Sequence, residues 1–492
     1  MPQESAIVRL RRIAVVLILV VATGCSSRSG NPARIATSYI SHVVCSYVFV
    51  SGLDPVHVGE EYIRANPVFR GFNWALRYDV DLHGRQVTAR TPGRSVSRAV
   101  YHDALGCLNL SATATSDAPT RAEIEAEGPI PVLLPDIAGT SVVVPTDTRL
   151  AAALDRAFAE PEGEVVRRTH AIVVVHDGHV VAERYAKGFG IDTPVHGWSA
   201  TKSVTNALLG ILVRQGRLRM DEPAPVTVWQ APRDPRHTIT PDHLLRMQSG
   251  LRLGDSMTAG LRRSWDTSAR MMFTEPDMAG FAMDADLEPA PGAAWRYADG
   301  NPAILGRIIR DRVGGHAVDV LRFARRELFG PLGIHHATLE VDSTGTPIAS
   351  AFLFATPREW ARFGMLFLQD GVVGGRRILP EGWVRYSTTT TRDAFVGYGA
   401  GWWINQGESQ GARFRREQGM PADAFMALGI YGQTVVVVPS ARLVIARFGT
   451  TYDLPKAMMD ICRLTADIVA AVPGPARVEA GQAARDSGWR SR

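Results

Sequence analysis

The chain has 492 residues with 54 basic and 49 acidic side chains, 46% apolar residues, 46 Gly, 30 Pro and 4 Cys. This is an ordinary globular composition at a length that allows two to four domains, and it excludes collagen, coiled coil and wholesale disorder. The net charge of +5 sits at the ends: residues 1–24 carry +2 and residues 473–492 another +2, leaving +1 between them and no nucleic-acid footprint.

Arg9, Arg11 and Arg12 precede ten apolar residues, Ile13 to Ala22, and then Thr23-Gly24-Cys25. Ten residues are too few to cross a bilayer, which needs about 20. The segment resembles a bacterial lipoprotein signal over 1–24, with Cys25 as the lipidated mature N-terminus and membrane anchor. An ordinary cleaved signal is the alternative, and either implies export. Polar residues 25–38 read as a tether. Residues 39–130 read as a small N-terminal domain closed by a linker rich in Ala, Thr and Ser. Cys45 and Cys107 lie in its apolar runs and are expected to pair, because disulfides persist outside the cytosol. Cys462 is expected as a buried free thiol.

From 145 to 472 the pattern is α/β. A helix is expected near 147–160, a hairpin at 170–185 around Asp177-Gly178, and a helix opening near 199. Helical and loop-rich sequence fills 215–370, where Thr356, Pro357 and Glu359 mark a capped helix start. Strands are expected at 397–405, 433–439 and 442–449, then a helix at 454–472 and a disordered tail at 473–492. Strands at both ends of the body imply one antiparallel sheet of α+β type, flanked by helices, with a helical subdomain inserted.

Two serines compete as nucleophile. Ser409 lies in a Gly-x-Ser-x-Gly pattern, but its triad order needs a later histidine, and the last one is His336. Ser199 stands three residues before Lys202, so a helix places both on one face, and the helix N-terminus offers free N–H groups to an oxyanion. The chain holds only three lysines, Lys187, Lys202 and Lys456, against 51 arginines. A sequence that uses Arg almost everywhere keeps Lys where a proton must be held or moved, which Arg cannot do. The histidines and cysteines form no metal-ligand spacing, and no cofactor motif is present.

Four segments resemble one family in order. They are Trp198-Ser199-Ala200-Thr201-Lys202-Ser203, then Leu244 to Leu251, then Pro291 to Asp299 with Tyr297 at its centre, and Gly429-Ile430-Tyr431-Gly432-Gln433. They are similar to class C β-lactamase-like serine hydrolases, of the 6-aminohexanoate-dimer hydrolase type. The resemblance implies a β-lactamase/transpeptidase-like fold and an acyl-enzyme on Ser199. Lys202 and Tyr297 would shuttle the proton, and the N–H groups of Ser199 and Ile430 would form the oxyanion hole. Asp299, Gly429 and Gln433 would edge the pocket, while Trp265, Tyr398, Trp402 and Trp403 fit either its wall or the core. Two departures matter. Asp299 stands where β-lactamases have Asn, and Ala427-Leu428-Gly429 stands where they carry Lys-Thr-Gly, so the anchor for a drug carboxylate is missing.

The expectation is an exported serine hydrolase of a small amide or ester. A non-catalytic envelope protein binding peptidoglycan or a partner, and a true β-lactamase, are the competing readings.

Overall fold

The computed structural model describes residues 31–71, 74–92, 95–110, 118–162, 166–256 and 265–473. The expected signal, Cys25 and the tail beyond 473 lie outside them.

Helix α1, Pro32–Cys45, starts at Asn31, whose side chain accepts from Ala33 N at 3.0 Å, with Pro32 in the first helical position where its missing N–H costs nothing. It buries Ile35, Tyr39, Ile40, Val43 and Val44. The expected tether therefore gives way at Pro32, because Ile35 and Tyr39, four apart, begin an apolar stripe that the surrounding polar residues obscure. An antiparallel meander follows, β1 Arg77–Asp81, β2 Gln86–Arg90, β3 Val96–His102 and β4 Gly106–Asn109, with α1 packed on it. The Cys45–Cys107 disulfide joins α1 to β4, and Cys462 is free and buried.

This N-terminal unit shares its core with the body. Tyr39 meets Phe273 edge-on at 4.9 Å between ring centres. Glu340, fully buried in the body, accepts from His42 Nε2 at 2.7 Å, Ser46 Oγ at 2.8 Å and the Cys107 N–H at 2.9 Å. A buried carboxylate persists only when so satisfied, so these bonds fix the orientation of the unit.

In the body, α2 (Thr148–Phe158) precedes the hairpin β5 (Thr169–His176) and β6 (His179–Tyr185), turned by Asp177 at φ 50° and Gly178 at φ 87°. Helices α3 (Thr201–Arg214), α4 (Gly300–Val313) and α5 (Pro357–Leu368) follow. Both halves of the expected capping box form on α5: Thr356 Oγ1 accepts from Glu359 N, and Glu359 accepts from Thr356 N at 2.9 Å. Strands β7 (Trp403–Ile404), β8 (Phe425–Leu428), β9 (Thr434–Val438) and β10 (Leu443–Gly449) lead to α6 (Leu454–Ala471). The six-stranded antiparallel sheet runs β7-β8-β9-β10-β5-β6, so β10 from the far end of the body pairs with β5.

Alternation along the strands divides the interior. Val173, Val175, Val435 and Val437 face the core under α3 and α5, while Ile172, Val174, Val436 and Ile445 face the layer of α2 and α6. Each such side chain, fully buried, contributes about 1.5–3 kcal/mol. The strand expected at 397–405 shrinks to two residues. Gly397 at φ 76° and Gly401 at φ 78° turn the chain, and a Cβ on Gly397 would lie 2.6 Å from the Ile404 carbonyl oxygen, so the segment folds back on itself.

Candidate active site

Ser199 sits in a 3-10 turn, Trp198–Ala200, that leads into α3. The residue before it, Trp198, is held at φ 46°, a left-handed conformation rare outside glycine, and its ring is buried against His196 at 4.3 Å. One turn on, Lys202 is only 2% exposed, and its ammonium donates to Ser199 Oγ at 2.8 Å, Asp299 Oδ1 at 2.7 Å and the Ser350 carbonyl at 2.8 Å. All three of its protons are thus placed. Burial pulls the Lys202 pKa down, but the Asp299 carboxylate and then Tyr297 more than offset this, and the net direction is up. The buried lysine is a cation in the resting protein.

Asp299 stands at the N-cap of α4 without capping it, because its carboxylate is turned to Lys202. Two residues earlier, on the loop after Pro291-Gly292, the Tyr297 ring lies 5.0 Å from Lys202 Nζ. Ser199, Lys202, Tyr297 and Asp299 therefore converge.

The third motif comes in from the sheet. On β8, strand β7 reaches only Phe425 and Met426, which leaves the Ala427-Leu428 end of β8 as an open edge. There the Gly429 backbone passes so close to the nucleophile turn that a Cβ on it would lie 2.3 Å from the Gly197 carbonyl oxygen. Only glycine permits this approach. Ile430 follows, and then Tyr431 at φ 65°.

The expected pocket residues divide. Gln433 is buried: its side-chain N–H₂ donates to the Ile430 carbonyl at 3.3 Å and to the Gly449 carbonyl, and its backbone carbonyl accepts from the Gly429 N–H at 2.8 Å, so it ties the turn together. Trp402 belongs to the core, against Phe367 and Phe425. Tyr398 is buried edge-on to Tyr297 at 5.8 Å, and its hydroxyl has no partner among the described residues. Trp403, half-buried, lies 5.7 Å from Tyr297. The side chain of Trp265 lies outside the description.

Two aromatics were missed in the sequence. Trp295 meets Tyr297 at 6.2 Å, and Phe395, 61% exposed, stands edge-on to Trp295 at 5.5 Å. The spacing of Trp295 to Tyr297, two residues in an extended segment, puts both on one side and was the available signal. Phe395 had none.

Comparison with known proteins gives the family. The family model of beta-lactamase matches residues 154–466. A 6-aminohexanoate-dimer hydrolase from Paenarthrobacter ureafaciens is 26% identical over 230 residues, 44% of this chain and 56% of its own length, so the chain spans little more than half of that relative. An uncharacterized protein of Alkalihalophilus pseudofirmus is 21% identical over 326 residues, 58% of this chain and 85% of its own. The structure of a putative 6-aminohexanoate-dimer hydrolase from Bacillus anthracis, 24% identical, covers 70% of this chain with 87% of its own length at a TM-score of 0.50 and has the same fold. With the match taking in well over half of the chain and all four motifs, the chain belongs to the beta-lactamase family of serine hydrolases and has the β-lactamase/transpeptidase-like fold.

Proposed function

We propose that the protein is an exported serine hydrolase that cleaves a small, uncharged amide or ester through an acyl-enzyme on Ser199. The observation that carries this is the Lys202 ammonium held at 2.8 Å from Ser199 Oγ and 2.7 Å from Asp299, beside Tyr297. Tyr297, acting with Lys202, takes the Ser199 proton as Oγ attacks the carbonyl carbon. The negative charge passes to the carbonyl oxygen, which the N–H groups of Ser199 and Ile430 receive. As the intermediate collapses, the bond to the leaving amine or alcohol breaks and Tyr297 returns the proton to it. Water then repeats the sequence on the acyl-enzyme and frees Ser199.

The charge of the site supports a neutral substrate. Asp299 adds a carboxylate, and Ala427-Leu428-Gly429 offers no cation to a substrate carboxylate, which disfavours β-lactams and D-Ala-D-Ala peptides. Trp295, Phe395 and Trp403 give the acyl or leaving group an aromatic wall. An envelope location, with a lipid on Cys25, is inferred from the signal and agrees with a disulfide. The test is intact-protein mass spectrometry after incubation with a fluorophosphonate and, separately, a penicillin. One fluorophosphonate adduct, lost in Ser199→Ala, and no penicilloyl species are expected. An adduct that survives Ser199→Ala refutes the nucleophile, a stable penicilloyl adduct refutes the substrate class, and no adduct at all favours a non-catalytic binding protein.

A further inference from the structure

Two residues next to the oxyanion N–H groups have left-handed backbones without being glycine. Trp198, at φ 46°, precedes Ser199, and Tyr431, at φ 65°, follows Ile430. Such conformations cost about 1–3 kcal/mol each and persist only where the surroundings over-determine them. The two rings pack on each other edge-on, 5.9 Å apart at 88°. The contacts that complete their surroundings come from the N-terminal unit, which lies outside the 154–466 family match.

Two lines of contact run from that unit. Tyr47, just past α1, stands edge-on to His196 at 5.7 Å, with its hydroxyl 3.4 Å from His196 Nδ1. His196 in turn lies under Trp198, and its own Nε2 is fixed on the Ala351 carbonyl at 3.0 Å. On the other side the Glu61 carbonyl accepts from Tyr452 OH at 2.7 Å, and Tyr452 packs edge-on to Tyr431 at 4.8 Å. Tyr47 and Tyr62 stack at 3.7 Å, which locks the two lines into one block. Tyr39 and Asn66 of the same unit also face the buried phenol of Tyr431.

We infer that the N-terminal unit is a catalytic buttress: Tyr47, through His196 and Trp198, and Glu61, through Tyr452 and Tyr431, hold the two turns of the oxyanion hole in register. These are positioning residues, since none touches the substrate. The inference rests on the proposed assignment of the Ser199 and Ile430 N–H groups. Because the oxyanion exists only in the reaction, misplacing the turns lowers kcat and leaves substrate affinity in place.

The test uses the whole mature chain with Tyr47→Leu, Tyr47→Phe and Tyr452→Phe. The readouts are kcat and KM for p-nitrophenyl butyrate, the rate of fluorophosphonate labelling, and melting temperature. About a tenfold lower kcat is expected for Tyr47→Leu and about threefold for Tyr452→Phe, with KM within about twofold and labelling slowed in parallel. Tyr47→Phe, which keeps the ring edge, should restore most of kcat. A purely structural role would lower the melting temperature but leave kcat per folded molecule unchanged. Should Tyr47→Leu not fold, Tyr452→Phe, which removes one hydroxyl, decides alone. Native kcat in folded Tyr47→Leu or Tyr452→Phe, or a loss confined to KM, overturns the buttress while the acyl-enzyme stands. A wild type that the fluorophosphonate does not label removes both.

Discussion

Replacing Asp299 with Asn is the sharpest probe of the site, because it changes one charge and almost no volume. In the native protein the carboxylate lies 2.7 Å from the Lys202 ammonium, with both side chains almost wholly buried. At an effective dielectric constant of about 20, two unit charges at that separation attract by about 6 kcal/mol. The amide oxygen of Asn still accepts a hydrogen bond and returns about 2 kcal/mol, so the expected loss is about 4 kcal/mol, within the range for breaking one side of a buried pair. For a protein of this size that corresponds to a fall in melting temperature of about 4 °C. The sign in pH follows from Lys202. Its pKa is raised in the folded protein from an ordinary value of 10.5, so its stabilisation is complete below that value and lost as pH rises through the folded value. The difference between wild type and variant should therefore be full at pH 7 and shrink above about pH 10.5. Without the carboxylate, burial dominates and the lysine pKa falls, so the alkaline limb of the pH–rate profile should move to lower pH. Calorimetry at pH 7 and pH 11, with a pH series of p-nitrophenyl ester hydrolysis, reads both effects. An Asp299→Asn protein with native melting temperature and an unmoved alkaline limb would refute the account of Asp299 as the group that keeps Lys202 charged.

Two further outcomes follow from the N-terminal unit. The disulfide closes a loop with a sequence separation of 62 residues, so its reduction should release chain entropy worth about 4 kcal/mol. Calorimetry with and without reductant checks this, and an unchanged melting temperature of the fully reduced protein would contradict it. Glu61 is largely buried, which raises its pKa, but His170, Thr450 and Arg168 more than offset this and hold it down at about 2 against an ordinary 4.5. Its stabilisation is present above about pH 4.5 and lost as pH falls toward 2, a contribution of about 3 kcal/mol. Glu61→Gln should lose about that much at pH 7 and flatten the acid limb of urea-midpoint measurements. An acid limb identical to wild type would exclude this cluster as its source.

Much of the local structure was legible. Short β-rich apolar runs marked β5, β9 and β10, Asp177-Gly178 marked the turn, and Thr356 with Glu359 marked the start of α5, because strands, turns and caps are set by residues a few positions apart. The spacing of Ser199 and Lys202 belongs to the same class, since one helical turn brings their side chains together wherever the helix lies. The α1 helix was also within reach, through Asn31-Pro32 and the stripe from Ile35 to Tyr39, but its polar surroundings read as a tether.

What the sequence by itself determined is therefore the set of elements, the family pattern and the local pair at the head of α3. Tertiary structure decided the rest. Asp299 reaches Lys202 across 97 residues and Ser350 does so across 148, distances over which no periodicity operates. The Asp299 side chain read as a departure from a pattern until the fold placed a cation against it. Trp402, which fitted either wall or core, took its place in the core, and Phe395 came beside Trp295, because exposure depends on which loop lies above. The apolar runs of residues 39–130 read as a separate domain, since a segment's hydrophobicity says that it must be covered but not by what. Only packing joined Tyr47 to His196 and Glu61 to Tyr452, because ion pairs and aromatic contacts between distant segments leave no trace in local spacing.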